Sequence, residues 1–199
     1  MGRDITLLHA TLGDLSLAKK AFLVLAGSLF IAIAAQISVP MFPVPMTLQV
    51  LAILLVGFAF GSRLGAATVM AYLAEGAMGL PVFANGLNGV AFAGPTAGFL
   101  LGFVAMAWAA GFAAERGLAK GFVSTMGVSL GLAALLYVPG IAWPMALAGS
   151  FGAEAGWVGQ AFTGYYWAYF IAPFLIGDAI KAVLAALITT GAWKVLARR

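Results

Sequence analysis

Asp178 and Lys181 are the only acid and base between Trp167 and Lys194, and they lie three residues apart in Ile176-Gly177-Asp178-Ala179-Ile180-Lys181. The sequence around them is apolar. In a bilayer each charge costs about 2.5–3.5 kcal/mol on insertion scales, and intramembrane charges usually carry function. A helix sets residues i and i+3 on one face, so the two can partly neutralise each other. Taken alone, the couple could do no more than fix a helix packing. The sharper reading is a site for a small solute that needs both an acceptor and a donor.

Other chemistries find no residues to carry them. The chain has no cysteine, and its single histidine, His9, lies in the polar N-terminal arm, so thiolate chemistry and a histidine-rich metal site are excluded. No G-x-x-x-x-G-K-[ST] sequence exists to cradle ATP phosphates. No Ser–His or Cys–His couple is available for nucleophilic work. Asp178 is the only aspartate beyond Asp14, so two carboxylates sharing a proton, as an aspartyl protease requires, are missing. The expectation is a protein that is not an enzyme and carries no cofactor or metal of its own.

The elements that must position the couple are membrane spans. Hydrophobic residues make up 64% of the 199 and charged residues 8%, against about 25% charged in a soluble domain. At about 20 residues per span, the chain has room for roughly five or six spans and no separate soluble domain. One membrane domain, 1–199, is therefore expected, with a polar arm at 1–17 and spans near 18–39, 47–60, 64–80, 96–114, 122–138 and 174–196. Lys19-Lys20, an apolar run and Ala32-Ile33-Ala34 resemble a secretory signal. The run continues to Val39 without a polar break, so an uncleaved first span is expected.

Prolines and glycines punctuate these runs. Pro40, Pro43 and Pro45 end the first, because proline lacks an N–H and clashes with the preceding turn. Residues 139–163, with Pro139, Pro144 and Glu154, read as a longer loop. Six spans put both termini on one side, together with Arg3, Lys19, Lys20, Arg63, Arg116, Lys120, Lys194, Arg198 and Arg199, which are all the Lys and Arg residues except Lys181. By the positive-inside rule that side is the cytoplasm. The fold class read from this pattern is an all-α integral membrane bundle of six helices. The positive net charge follows from basic turns rather than a basic face, so no nucleic-acid partner is indicated. Trp143, Trp157, Trp167, Tyr165, Tyr166 and Tyr169 then gather near the outer interface.

Residues 38–47 and 79–98 are rich in Gly and Pro yet still apolar, unlike solvated loops. Irregular backbone at membrane depth survives where it is buried in protein or lines a cavity. Thr47, Asn85, Asn88 and Thr96 could supply hydrogen bonds there, and Phe83 an aromatic wall. Asp178 lies about one helical turn past Pro173, below these segments, and Glu75 near the end of the third span could join them. Gly94 is expected to rely on glycine's backbone freedom. In the first span Gly27, Ser28, Ala32 and Ala35 form a small-residue stripe, which suits packing within the bundle or a partner's helix.

Four strings occur in order: Pro43-Val44-Pro45-Met46-Thr47-Leu48-Gln49, Gly79-Leu80-Pro81-Val82-Phe83-Ala84, Gly94-Pro95-Thr96 running into Gly102-Phe103, and Gly177-Asp178 with Lys181. In them the chain resembles, over nearly its whole length, the BioY family, the substrate-binding S components of energy-coupling-factor biotin transporters. The resemblance implies a compact six-helix fold in a prokaryotic cytoplasmic membrane that captures biotin from outside. It implies partners as well: a transmembrane coupling subunit and two ABC ATPases, which would bind the ATP. Carried over, Asp178 would accept from a ureido N–H, and Lys181 would donate to the ureido oxygen or a carboxylate. Asn85 or Asn88 would add an amide contact, and Pro40–Thr47 would form a lid. Ala97 and Phe99 stand where many relatives carry Gly and Tyr. From the residues alone, a stand-alone secondary carrier or facilitator for a small vitamin-like solute remains open, with Glu75 or Asp178 coupled to protons.

Overall fold

A computed structural model describes residues 6–13, 15–152 and 155–197; Arg3, Glu154, Arg198 and Arg199 lie outside them. A short helix α1 (Leu7–Leu12) precedes α2 (Leu17–Gln36), whose start is capped by the Ser16 hydroxyl accepting from Lys19 N. Two two-residue strands follow, β1 (Ser38–Val39) and β2 (Met46–Thr47), paired antiparallel with Ser38 opposite Thr47. The proline cluster forms the loop between them. Then come α3 (Gln49–Phe60) and α4 (Ser62–Ala77), separated by Gly61 at φ +84°, a conformation that glycine adopts without strain. Irregular segment 78–96, with tight turns at Ala84–Gly86 and Gly89–Ala93, leads to α5 (Ala97–Glu115). The last long helices are α6 (Phe122–Ala142) and α7 (Leu175–Leu196).

Among the described residues, four helical runs are long and apolar enough to cross a membrane: Leu17–Gln36, Ala97–Glu115, Phe122–Ser150 and Phe162–Leu196. Helices α3 and α4, with 12 and 16 residues, reach only about 18 and 24 Å at 1.5 Å per residue. The chain is thus a mostly helical, multi-pass membrane protein.

Part of the loop expected at 139–163 is helical. Helix α6 passes through Pro139 to Ala142 and continues in a wide π-helical turn, Trp143–Leu147. Another wide-turned segment, Phe162–Ile171, feeds α7 through Ala172–Phe174. Neighbouring helices can absorb a proline in a membrane helix. Here α5 presents two bare glycines to it: a Cβ on Gly98 would sit 2.1 Å from Pro139 O, and one on Gly102 would sit 2.8 Å from Pro139 Cγ.

Close backbone approach also joins the centre of the bundle. A Cβ on Gly57 would meet Ala107 O at 2.7 Å, and one on Gly111 would meet the Gly61 carbonyl carbon at 2.2 Å. Such contacts let apolar helices pack tightly where lipid offers no hydrophobic driving force. The stripe on α2 serves the same purpose. Ser28, Ala32 and Ala35 are buried, and Gly27 faces Thr68 of α4, so the stripe packs inside this bundle rather than offering a partner-docking face.

One end of the bundle gathers the basic turns. Glu115 at the end of α5 accepts from Ser62 N (2.7 Å) and Ser62 Oγ (2.8 Å), so its carboxylate caps the N-terminus of α4. Lys120 lies over the Trp193 ring at 5.5 Å, which brings the α5–α6 turn to the end of α7. Strands, irregular segment and the start of α7 lie at the opposite end, around a cavity.

Candidate functional site

The cavity has a volume of about 290 Å³, near the lower end of the roughly 300–1,000 Å³ range of ligand pockets. Its walls come from the Pro40–Thr47 hairpin, the segment 83–96 and the adjoining ends of α3, α5, α6 and α7. Most of the lining is apolar, with Phe83, Phe99 and Phe103 among the rings.

Asp178 sits in the first turn of α7, where the helix dipole favours an anion. Its Oδ1 accepts from Lys181 Nζ at 2.8 Å, and the two side chains are 12% and 6% exposed. Its Oδ2 accepts from the Tyr137 hydroxyl of α6. A lysine ammonium has three donors. Among the described residues, Asp178 is the one hydrogen-bond partner of Lys181, which leaves two N–H groups of the ammonium uncommitted at the cavity wall. A carboxylate has about four lone-pair positions, so Asp178 can take ligand donors as well.

Asp178, Lys181, Asn85, Thr96, Phe83 and Thr47 all line the cavity. Phe83 is 2% exposed and packs edge-on between Tyr72 (5.2 Å) and Phe92 (5.4 Å). Asn85 takes φ +58°, ψ +27°, a left-handed conformation that asparagine tolerates, and its Oδ1 accepts from Ser38 Oγ at 3.3 Å. Thr47 faces inward, but its hydroxyl donates to Gln49 Oε1 (2.9 Å) and accepts from Gln49 N (3.1 Å). It therefore orders Gln49 rather than presenting a free hydroxyl.

Two expected residues are not brought to the cavity. Asn88 accepts from Val90 N (3.3 Å) and donates to Gly79 O (3.4 Å), stabilising its own turn. Glu75 turns the other way around α4 and binds Ser28 Oγ of α2 at 2.7 Å, while Gly76, one residue on, faces Phe83. Gly94 has φ −89°, which any residue adopts, so the expected need for glycine's freedom is absent there.

Gln49 and Tyr137 line the cavity and were not singled out as site residues from the sequence. Gln49 Nε2 donates to Tyr72 Oη at 2.7 Å, and Tyr72 donates to Val82 O at 3.1 Å, linking the hairpin's end to the segment beside Phe83. A polar side chain within an apolar span usually faces the protein interior, and that signal was present for both. Gln36, the last residue of α2, accepts from Gly86 N (3.1 Å) and donates to Phe83 O (3.0 Å). The 82–86 stretch is thus tied down rather than loose. Trp143 and Tyr166, expected near the outer interface, make internal bonds: Trp143 Nε1 donates to Gly94 O (3.0 Å) and Tyr166 donates to Trp157 O (3.0 Å).

The sequence matches the BioY family over residues 6–198. It is 36% identical over 160 residues to "Biotin transporter BioY" of Rhizobium etli, covering 76% of this chain and 79% of that protein. A protein of the same name from Rhodobacter capsulatus is 35% identical over 173 residues, covering 82% of this chain and 87% of the relative. A "Probable biotin transporter BioY" of Pyrococcus horikoshii is 34% identical over 167 residues, covering 81% and 90%. The fold is similar to a crystal structure of the S-component for biotin from an ECF-type ABC transporter. The TM-score is 0.67 at 23% identity, covering 91% of this chain and 95% of that one.

Proposed function

The chain belongs to the BioY family, whose members are transport proteins rather than enzymes, and from that premise we propose that it is the biotin-binding membrane subunit of an energy-coupled uptake system. The observation that carries this reading is the Asp178–Lys181 couple on the wall of an otherwise apolar cavity. Biotin offers two N–H donors and a carbonyl acceptor at one end, an apolar ring and tail, and a carboxylate. Asp178 accepts from a ureido N–H, and Lys181 donates to the ureido oxygen or the carboxylate. The Asn85 amide adds a contact from the tied-down segment, and Thr96 faces the same space. Phe83 and Phe99 flank the ring, and the Pro40–Thr47 hairpin covers it.

In this reading the chain crosses the cytoplasmic membrane of a prokaryote six times, with α3 and α4 as short spans and both termini inside. The clustering of Lys19, Lys20, Arg63, Arg116, Lys120 and Lys194 at helix ends away from the cavity supports that orientation. The cavity then opens outward. Without a nucleotide motif of its own, the chain works with a transmembrane coupling subunit and two ABC ATPases. Vesicle uptake tests this assignment. Biotin accumulation should follow ATP supplied to partner ATPases. Accumulation by the chain alone under a pH gradient would make it a stand-alone carrier instead.

A further inference from the structure

We infer that Tyr137 is a positioning residue that sets the orientation of the Asp178 carboxylate for its ligand; the inference rests on the biotin reading of the cavity. Lys181 belongs to the same helix as Asp178 and holds Oδ1 alone. A carboxylate's terminal torsion is broad, so one bond leaves it free to swivel. Tyr137 supplies the second bond, to Oδ2, from a different helix. Together the two donors occupy one position on each oxygen and leave the others for ligand N–H groups.

The support for Tyr137 is built into α5 and α6. Its ring meets the Phe99 ring edge-on, with centroids 6.2 Å apart at 88°. Phe99 in turn lies against bare backbone, because a Cβ on Gly140 would come within 2.4 Å of its ring. Leu136, beside Tyr137, fills the space opposite Gly102, where a Cβ would sit 2.8 Å from Leu136 Cδ1. Gly140, Phe99, Tyr137 and Asp178 therefore form one chain of contacts, from the α5–α6 packing to the charged couple. Tyr137→Phe keeps the ring in place and removes only the hydroxyl.

Biotin affinity and ligand-free unfolding, measured on the full chain in detergent, test this together. Tyr137→Phe should weaken biotin binding about tenfold to a hundredfold, the effect of one bond to a charged group. It should also lower the unfolding midpoint of the ligand-free chain. In the Asp178→Ala/Lys181→Met background the same change should leave that midpoint unchanged or raise it, because the hydroxyl has lost its acceptor. If Tyr137→Phe does not fold, recovery of the fold in the triple variant supports the same bond, and failure of the triple variant to recover overturns it. Affinity within twofold of the unsubstituted chain, or an equal midpoint loss in both backgrounds, overturns the inference while the biotin assignment stands. Absence of biotin binding by the unsubstituted chain overturns both.

Discussion

Met46 of the hairpin rests on the bare Cα of Gly177, the residue immediately before Asp178: a Cβ there would lie 2.5 Å from Met46 Sδ and 3.2 Å from its Cε. The hairpin is thus in contact with the residue next to the charged couple. Gly177→Ala should displace the methionine tip, which is flexible enough to yield, and weaken biotin binding only several-fold. Gly177→Val should push the hairpin off α7 and weaken it much further, at the roughly 1–3 kcal/mol typical of overpacking. Titration of both variants with biotin checks the order, and equal affinities for the two would mean that the hairpin does not close on α7.

Asp178→Asn and Lys181→Ala each leave the other member buried without its charge partner. Breaking a buried couple on one side costs up to about 3–5 kcal/mol, whereas replacing both members with apolar groups can be neutral. Asp178 keeps 12% exposure, so a loss toward the lower end is expected. Thermal unfolding in detergent should show both single variants below the double variant Asp178→Ala/Lys181→Met. All three should fail to bind biotin. A double variant with unchanged affinity would remove the couple from the site.

Two glycines of the irregular segment and its neighbour should behave oppositely. A Cβ on Gly76 would lie 2.1 Å from Phe83 Cζ, inside a buried ring that cannot step aside. Gly76→Ala should therefore eject Phe83 from the cavity wall, with loss of stability and biotin affinity. Gly94 has ordinary backbone angles, and the nearest atom to an added Cβ is Ala91 O at 3.4 Å. Gly94→Ala should leave stability unchanged. Equal effects would show that the packing around Phe83 does not shape the cavity.

The sequence made the long apolar helices and the Asp178–Lys181 couple legible, because hydropathy and an intramembrane charge are local signals. It was a poor guide to Pro139. The rule that proline ends helices is local, whereas the accommodation of Pro139 depends on Gly98 and Gly102 more than thirty residues earlier. Glu75 was misplaced toward the cavity for a similar reason: the direction it faces is set by Ser28 on α2. Asn88 looked like a ligand contact by type, but an asparagine also bonds its own turn, and here it does. Tyr137 lies inside an apolar run with no local mark of a partner, and only the approach of α6 to α7 gives its hydroxyl an acceptor.

Equilibrium titration of biotin into the purified chain, without any partner subunit, tests the central claim most directly. One biotin should bind per chain, with the binding lost in Asp178→Asn. No binding, or equal binding by the Asp178→Asn chain, would contradict the assignment of this cavity to biotin.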